Sequence, residues 1–84
     1  MTIYFHPRFR AAYRRLPAAL KARAEMRETI FRENQFDQRL DTHKLHGKLE
    51  NQWSFSIDRT YRILFEFTNG NVIFLDVGDH AIYR

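Results

Sequence analysis

Asn69-Gly70 is the dipeptide that most limits what this 84-residue chain can fold into. It sits between two runs of strand-forming residues. Asn-Gly is also the pair most strongly selected by a two-residue β-hairpin turn, because both central positions need positive φ. Before it, Tyr61–Phe67 sets Tyr61, Ile63, Phe65 and Phe67 on one face and Arg62, Leu64 and Glu66 on the other. After it, Val72–Val77 is apolar on both faces, the pattern of a strand that is central or covered. Upstream, Trp53, Phe55 and Ile57 alternate with Ser54 and Ser56, which reads as a half-buried strand. These three segments predict an antiparallel meander with one apolar face, which needs a second layer to cover it.

The first half of the chain supplies that layer. Thr2–Phe5 reads as a short strand stopped by Pro7. Residues 8–15 are basic and helical in pattern, and Pro17 suits the first turn of a second helix running to about Glu33. Ala19, Ala22, Met26 and Ile30 share one side of that helix and are expected to face the core, although Arg23 and Arg27 sit close to the stripe. Two antiparallel helices joined near Leu16–Pro17 result. Residues 34–52 are polar without a period and read as an extended connection holding at most a turn of helix. The expected fold is α+β over one domain, residues 1–84: an N-terminal strand, two antiparallel helices, then a three-stranded antiparallel meander packed on them. Eight Phe, four Tyr and one Trp give a small domain a bulky core, and three Gly with two Pro argue against disorder.

Absence of cysteine excludes disulfides and thiolate metal sites and fits a reducing compartment. The start MTIYFHPRF lacks the apolar run of a signal peptide, and no segment reaches the length of a membrane span, so a cytoplasmic location without membrane contact is expected. The net charge of +4 is unevenly spread. Arg8, Arg10, Arg14, Arg15, Lys21 and Arg23 occupy residues 1–24 without an acidic residue, whereas the remainder is slightly acidic. A one-sided basic surface favours phosphate-rich or acidic partners. The plainer alternative is a solvated helix face.

Two basic stretches bracket the second half, and each carries a histidine: HKLHGKL at 43–49 and the ending LDVGDHAIYR with His80. Alternation places Ser54, Ser56, Arg62 and Glu66 on the face away from Trp53, Phe55 and Ile57. The connection bearing His43 enters the first meander strand and His80 leaves the last, so a shallow basic groove is expected on the helix-free face. Two imidazoles and a guanidinium are suited to moving protons around a phosphate.

The strand–helix–helix–meander order, the spacing from HKLHGKL to WSFSI, the Tyr61-Arg62 pair opening a strand and the GDH ending resemble the RelE/ParE superfamily. Its members are toxins of bacterial type II toxin–antitoxin modules. The resemblance spans essentially the whole chain, is densest from residue 43 to 84, and is strongest to the RelE/StbE branch with the YoeB and YafQ toxins. It implies a messenger-RNA endonuclease (an mRNA interferase) acting in the ribosomal A site, with no cofactor or metal. His43 lies ten residues before Trp53, where YoeB-like toxins place a glutamate and YafQ-like toxins a histidine; it would take the proton of a ribose 2′-hydroxyl. His80 matches the C-terminal histidine of those toxins and would protonate the leaving 5′-oxygen. Arg62 matches an arginine that stabilises charge at the scissile phosphorus; the alternative is a cross-strand partner for Glu66 or Asp58. Tyr83 lies near the position of an aromatic residue that in several relatives stacks on a base or contacts the phosphate, three residues after His80 where YafQ-like endings have four. The resemblance counts it with the catalytic residues, and the alternative is a residue that only closes the core. Lys44, Lys48, Arg59 and Arg84 would contact RNA phosphates on the rim. Trp53 and Phe55 either stack on bases or belong to the core. His46 has no counterpart. Where RelE carries two lysines on the first meander strand, this chain has Ser54 and Ser56, so proton transfer would fall to His43 and His80.

The implied partners are the messenger RNA, the ribosome and an antitoxin. The antitoxin would wrap a monomeric toxin and carry the DNA-binding part of an operon repressor. Two rivals remain. One is a ParE-like gyrase inhibitor, a branch that generally lacks the histidine set. The other is a non-catalytic relative kept for antitoxin or RNA binding.

Overall fold

The structure is a computed structural model, and it describes residues 1–47 and 51–83. Strand β1 (Ile3–Phe5) leads into α1 (Pro7–Arg14) and α2 (Ala18–Glu33). A 3-10 turn at Gln38–Leu40 precedes β2 (His43–Lys44), β3 (Trp53–Ser56), β4 (Arg62–Thr68) and β5 (Asn71–Gly78), and a second 3-10 turn spans His80–Tyr83. The α+β architecture matches the sequence reading. The meander β3–β4–β5 is the middle of a larger sheet, whose order is β1-β5-β4-β3-β2. β1 pairs with β5 in parallel, while the other neighbours are antiparallel. β5, apolar on both faces, is thus an interior strand.

The β4–β5 turn forms as its residues require. Asn69 and Gly70 have φ of 49° and 81°, and Thr68 pairs directly with Asn71 across them. The register shifts once between Leu64 and Phe65, because Leu64 faces Asp76 while Phe65 faces Phe74; Leu75 is the extra residue of a bulge. β2 is the element that periodicity does not reveal. It has two residues, both exposed, and it forms because the edge of β3 offers backbone partners: His43 pairs with Ser54 and Lys44 with Trp53.

α1 starts at Pro7, whose missing N–H is no loss in a first turn. His6 caps it by accepting the Arg8 N–H at its Nδ1, 3.0 Å away. Pro17 opens α2 as expected. Both helices lie on the same face of the sheet. Phe31 of α2 stacks on Phe55 at 4.7 Å between ring centroids and meets the rings of Phe65 and Phe74 edge-on at 5.0 and 5.5 Å. Phe9 of α1 meets Phe74 at 5.4 Å. Phe31, Phe55, Phe65 and Phe74 are fully buried, each contributing roughly 1.5–3 kcal/mol by leaving water.

The stripe by which α2 faces the core differs from the expected Ala19, Ala22, Met26 and Ile30. Ala24 and Phe31 are buried and Leu20 packs against the core, whereas Ala19 and Ala22 are exposed, Ile30 is half-buried and Met26 is 69% exposed. Leu20, Ala24, Arg27 and Phe31 form one helical line. The largest ring, Phe31, fixes the helix rotation, and alanines are too small to compete with it. Arg27 is therefore drawn half under the helix, where its Nη1 donates to the Arg39 carbonyl. No helix among the described residues is long and apolar enough to cross a membrane.

Candidate functional site

The other face of the sheet is organised by a serine. Ser54, in the middle of β3, is fully buried, although a polar side chain on a helix-free face is expected to meet water. Its Oγ has two lone pairs and accepts twice: from Arg62 Nε at 3.1 Å and from the Tyr83 hydroxyl at 3.1 Å. Arg62 stands two positions along on the neighbouring strand, paired with Ser56. Its guanidinium reaches across β3 to the chain before β2, where Nη2 donates to the Asp41 carbonyl at 2.9 Å and Nη1 lies 3.6 Å from the Asp41 carboxylate. Arg62 has only 14% of its side chain exposed, against 76% for Asp41. The exposed ion pair contributes little by itself, but the neutral acceptors Ser54 and Asp41 carbonyl fix the plane of the guanidinium. The Nη1 hydrogens then face a weakly held carboxylate that an incoming anion can displace.

Asp41 takes a left-handed conformation, φ 49°, at the end of the first 3-10 turn. Asp tolerates it better than most residues. Its carbonyl also receives His43: the ring Nδ1 lies 3.1 Å from the Asp41 oxygen and 3.4 Å from Arg62 Nη2. Arg62 can only donate and the carbonyl can only accept. The shorter contact therefore assigns the proton to Nδ1, leaving the lone pair on Nε2 of this exposed ring. In that tautomer Nε2 is the basic nitrogen of the ring.

The C-terminal turn closes the other side. Ile82 is buried against Gly78, where an added Cβ would come within 2.8 Å of Ile82 Cγ2, so a side chain at 78 is incompatible with this seat. Seating Ile82 brings Tyr83 to Ser54, and His80 packs edge-to-face on Tyr83 with ring centroids 5.7 Å apart. His43, Arg62, His80 and Tyr83 thus belong to one chain of contacts running through Ser54 and Asp41.

The remaining named residues divide. Arg59, in the β3–β4 turn, is exposed and lines a groove of about 610 Å³ together with Arg23, Arg27, Asp41, Ser56, Asp58 and Arg62. This groove draws three of its four cations, Arg23, Arg27 and Arg59, from α2 and the β3–β4 turn, so it is not the shallow trough on the sheet face that alternation suggested. Lys44 pairs with Trp53 and points to the opposite face from His43. Lys48 and Arg84 lie outside the described residues. Phe55 is fully buried in the aromatic core and cannot stack on a base, while Trp53 is half-buried between Phe36, Phe65 and Phe67. The carboxylate partner of Arg62 is Asp41, not Glu66 or Asp58. Asp58 is instead occupied by the β3–β4 turn, accepting the N–H groups of Thr60 and Tyr61 at 2.8 and 2.7 Å. The Tyr61 bond above all holds its carboxyl below the usual range, with smaller help from Thr60, Arg23 and Arg27. Among the described residues no group of three or more His, Asp or Glu is placed to hold a metal ion.

Sequence reasoning did not single out Ser54 and Asp41 as organisers of the site. Ser54 had a visible signal, a small polar residue alternating with Trp53 and Phe55 in the middle of a strand. Asp41 had none, since its part is played by a backbone carbonyl.

Solved structures of other proteins share this architecture. The YoeB/ParE toxin from Agrobacterium tumefaciens superposes with a TM-score of 0.79 over 95% of this chain and 99% of its own, at 14% identity. The chain has the fold of the RelE/ParE toxins. YafQ from E. coli superposes at 0.75 over 98% and 96% with 14% identity. The toxin of the RelB–RelE antitoxin–toxin complex from Methanococcus jannaschii superposes at 0.75 over 95% and 94% with 23% identity. Neither a protein-family model nor a curated protein matches the sequence. At 14 to 23% identity the likeness is one of backbone fold, which tolerates replacement of most residues.

Proposed function

We propose that this chain is the toxin of a type II toxin–antitoxin module and an endoribonuclease that cleaves messenger RNA on the ribosome. The observation that carries this reading is the Arg62 guanidinium, fixed by Ser54 and the Asp41 carbonyl within 3.4 Å of the His43 ring. The substrate's own 2′-hydroxyl attacks the adjacent phosphorus in line. His43 Nε2 takes the hydroxyl proton, the O2′–P bond forms, and Arg62 Nη1 stabilises the charge that builds on the non-bridging oxygens. His80 gives a proton to O5′ as the P–O5′ bond breaks, and Tyr83 holds His80 from the side. The products are a 2′,3′-cyclic phosphate and a 5′-hydroxyl. Arg59 positions the backbone at the rim, as do Lys48 and Arg84 in the reading from the sequence, whereas Lys44, on the opposite face from His43, takes no part. The ribosome contributes by holding the message in the bent geometry that in-line attack requires.

An antitoxin is the proposed protein partner, supported by the RelB–RelE antitoxin–toxin complex among the structural neighbours. Its acidic or amphipathic segment would cover the basic surface by coupled folding and binding. The cytoplasm is the compartment in which such a module works.

Primer extension on a defined message in a reconstituted translation reaction tests the reading, comparing wild type with His43→Ala, Arg62→Ala and His80→Ala, with and without ribosomes. Discrete cuts that appear with ribosomes and fall by about 100- to 1,000-fold in the Arg62 variant are expected. An intact message while translation continues would overturn the ribonuclease reading and return the gyrase inhibitor or the non-catalytic relative.

A further inference from the structure

Resting on the ribonuclease reading, we infer that the arginine groove between α2 and the β3–β4 turn is a second phosphate subsite, holding the backbone of the same RNA strand beyond the scissile phosphate. Four guanidiniums, those of Arg23, Arg27, Arg59 and Arg62, line this groove of about 610 Å³ against two carboxylates, Asp41 and Asp58. Both carboxylates are engaged within the protein. Asp58 caps the turn through Thr60 and Tyr61, and Asp41 faces Arg62. Among the described residues Arg23 and Arg59 form neither an ion pair nor a side-chain hydrogen bond. Arg27 is anchored by the Arg39 carbonyl, which aims rather than neutralises it.

Arg23 and Arg27 are four residues apart on one side of α2, about 6 Å along its axis. Like charges at that spacing repel and destabilise the helix slightly. A groove that sets four guanidiniums against two carboxylates keeps a positive excess after its internal pairing, and that excess favours an incoming anion. Guanidinium forks match phosphate oxygens in geometry. Arg62 decides in favour of RNA over an acidic protein segment. It is a wall of the groove and also a neighbour of His43, so a strand in the cluster has its next phosphates delivered to Arg59 and Arg23.

The test is fluorescence anisotropy with a short single-stranded RNA made uncleavable by 2′-O-methylation, titrated over a salt series. Wild type, Arg23→Gln/Arg59→Gln and Arg23→Lys/Arg59→Lys are compared. Losing two phosphate contacts should flatten the slope of log K against log salt by about 1.4 and weaken binding roughly tenfold at moderate salt, with the lysine variant keeping the slope. Unchanged slope and affinity in the glutamine variant would overturn the subsite while leaving the ribonuclease reading intact. No RNA binding by wild type even at low salt would overturn the subsite, and the ribonuclease reading falls only if the message also stays intact on the ribosome. Tighter binding of a glutamate-rich peptide, lost in the glutamine variant and displacing the RNA, would overturn the RNA assignment in favour of an acidic protein segment.

Discussion

The two faces of this sheet are held by different physics. Under the helices, Phe31, Phe55, Phe65 and Phe74 meet ring to ring at centroid distances from 4.7 to 5.8 Å, with no polar atom required. On the opposite face, one buried serine hydroxyl holds Arg62 and Tyr83, and one backbone carbonyl holds Arg62 and His43. Burial of apolar area is non-directional and large. Hydrogen bonds are directional and each adds only about 1 kcal/mol net. The first face therefore sets whether the chain folds, and the second sets where a few side-chain atoms point once it has. Leu64 and Ile82 are buried outside the main core, Leu64 paired with Ser54 across the sheet and Ile82 set against Gly78.

The widest separation between the faces should appear at Phe31. Phe31→Ala removes the ring that touches three others and is expected to cost about 3–5 kcal/mol in urea unfolding, a large share of the stability of a domain this size. A loss below about 1 kcal/mol would mean that the aromatic layer is not the stabilising face. Ser54→Ala sharpens the contrast. It leaves Arg62 Nε and the Tyr83 hydroxyl without their acceptor, so a smaller loss of about 1–3 kcal/mol is expected, together with a fall in RNA cleavage out of proportion to the population unfolded. Equal activity at saturating folded protein would show that Ser54 fills space only.

Gly78→Ala probes the same face by steric means. The new Cβ must push Ile82 away, so the His80–Tyr83 turn should lift at a cost of about 1–3 kcal/mol. Amide exchange should rise at Ile82 and Tyr83 while residues 63–65 stay protected; unchanged exchange in the turn would refute the packing. The smallest effect is expected at the turn joining β3 to β4. Asp58 is held below its ordinary value of 3.8 by the Tyr61 and Thr60 N–H groups. A depressed folded value means that its stabilisation is fully present above that ordinary value and is lost as pH falls through the lower, folded one. Asp58→Ala should therefore lower stability by about 1 kcal/mol near neutrality, and the gap to wild type should close in acid. A gap that stays constant with pH would exclude the carboxylate as its source.

Several features of this fold were readable in residues a few positions apart. Asn69-Gly70 adopts the turn its φ preferences demand, Pro17 opens α2, and the W-S-F-S alternation of β3 separates Phe55 from Ser54 as drawn. The α2 stripe was misread because Ala19 and Ala22 count as apolar in a periodicity yet bury little area, while Phe31 outweighs them. β2 escaped because two exposed residues carry no pattern; their pairing with Ser54 and Trp53 is a property of the β3 edge. At the candidate site, His43, Arg62, His80 and Tyr83 stood out by residue type and by resemblance, since imidazole and guanidinium announce their chemistry. Asp41 could not, because its contribution is a carbonyl shared by every residue.

Sequence alone determined the local pieces: the hairpin turn, the strand faces, the helix starts and the parts list of two imidazoles and one guanidinium. These depend on sterics and on side-chain periods of 2 and 3.6, which act between near neighbours in the chain. Only the tertiary structure decided that Asp41, His43, Ser54, Arg62 and Tyr83 share a few ångströms, and that Arg23 and Arg27 of α2 face Arg59 across a groove. Those distances follow from strand register, from the rotation of α2 around Phe31 and from the fit of Ile82 on Gly78. All three are settled by contacts between residues far apart in sequence, where burial energy summed over the whole core outweighs any local preference.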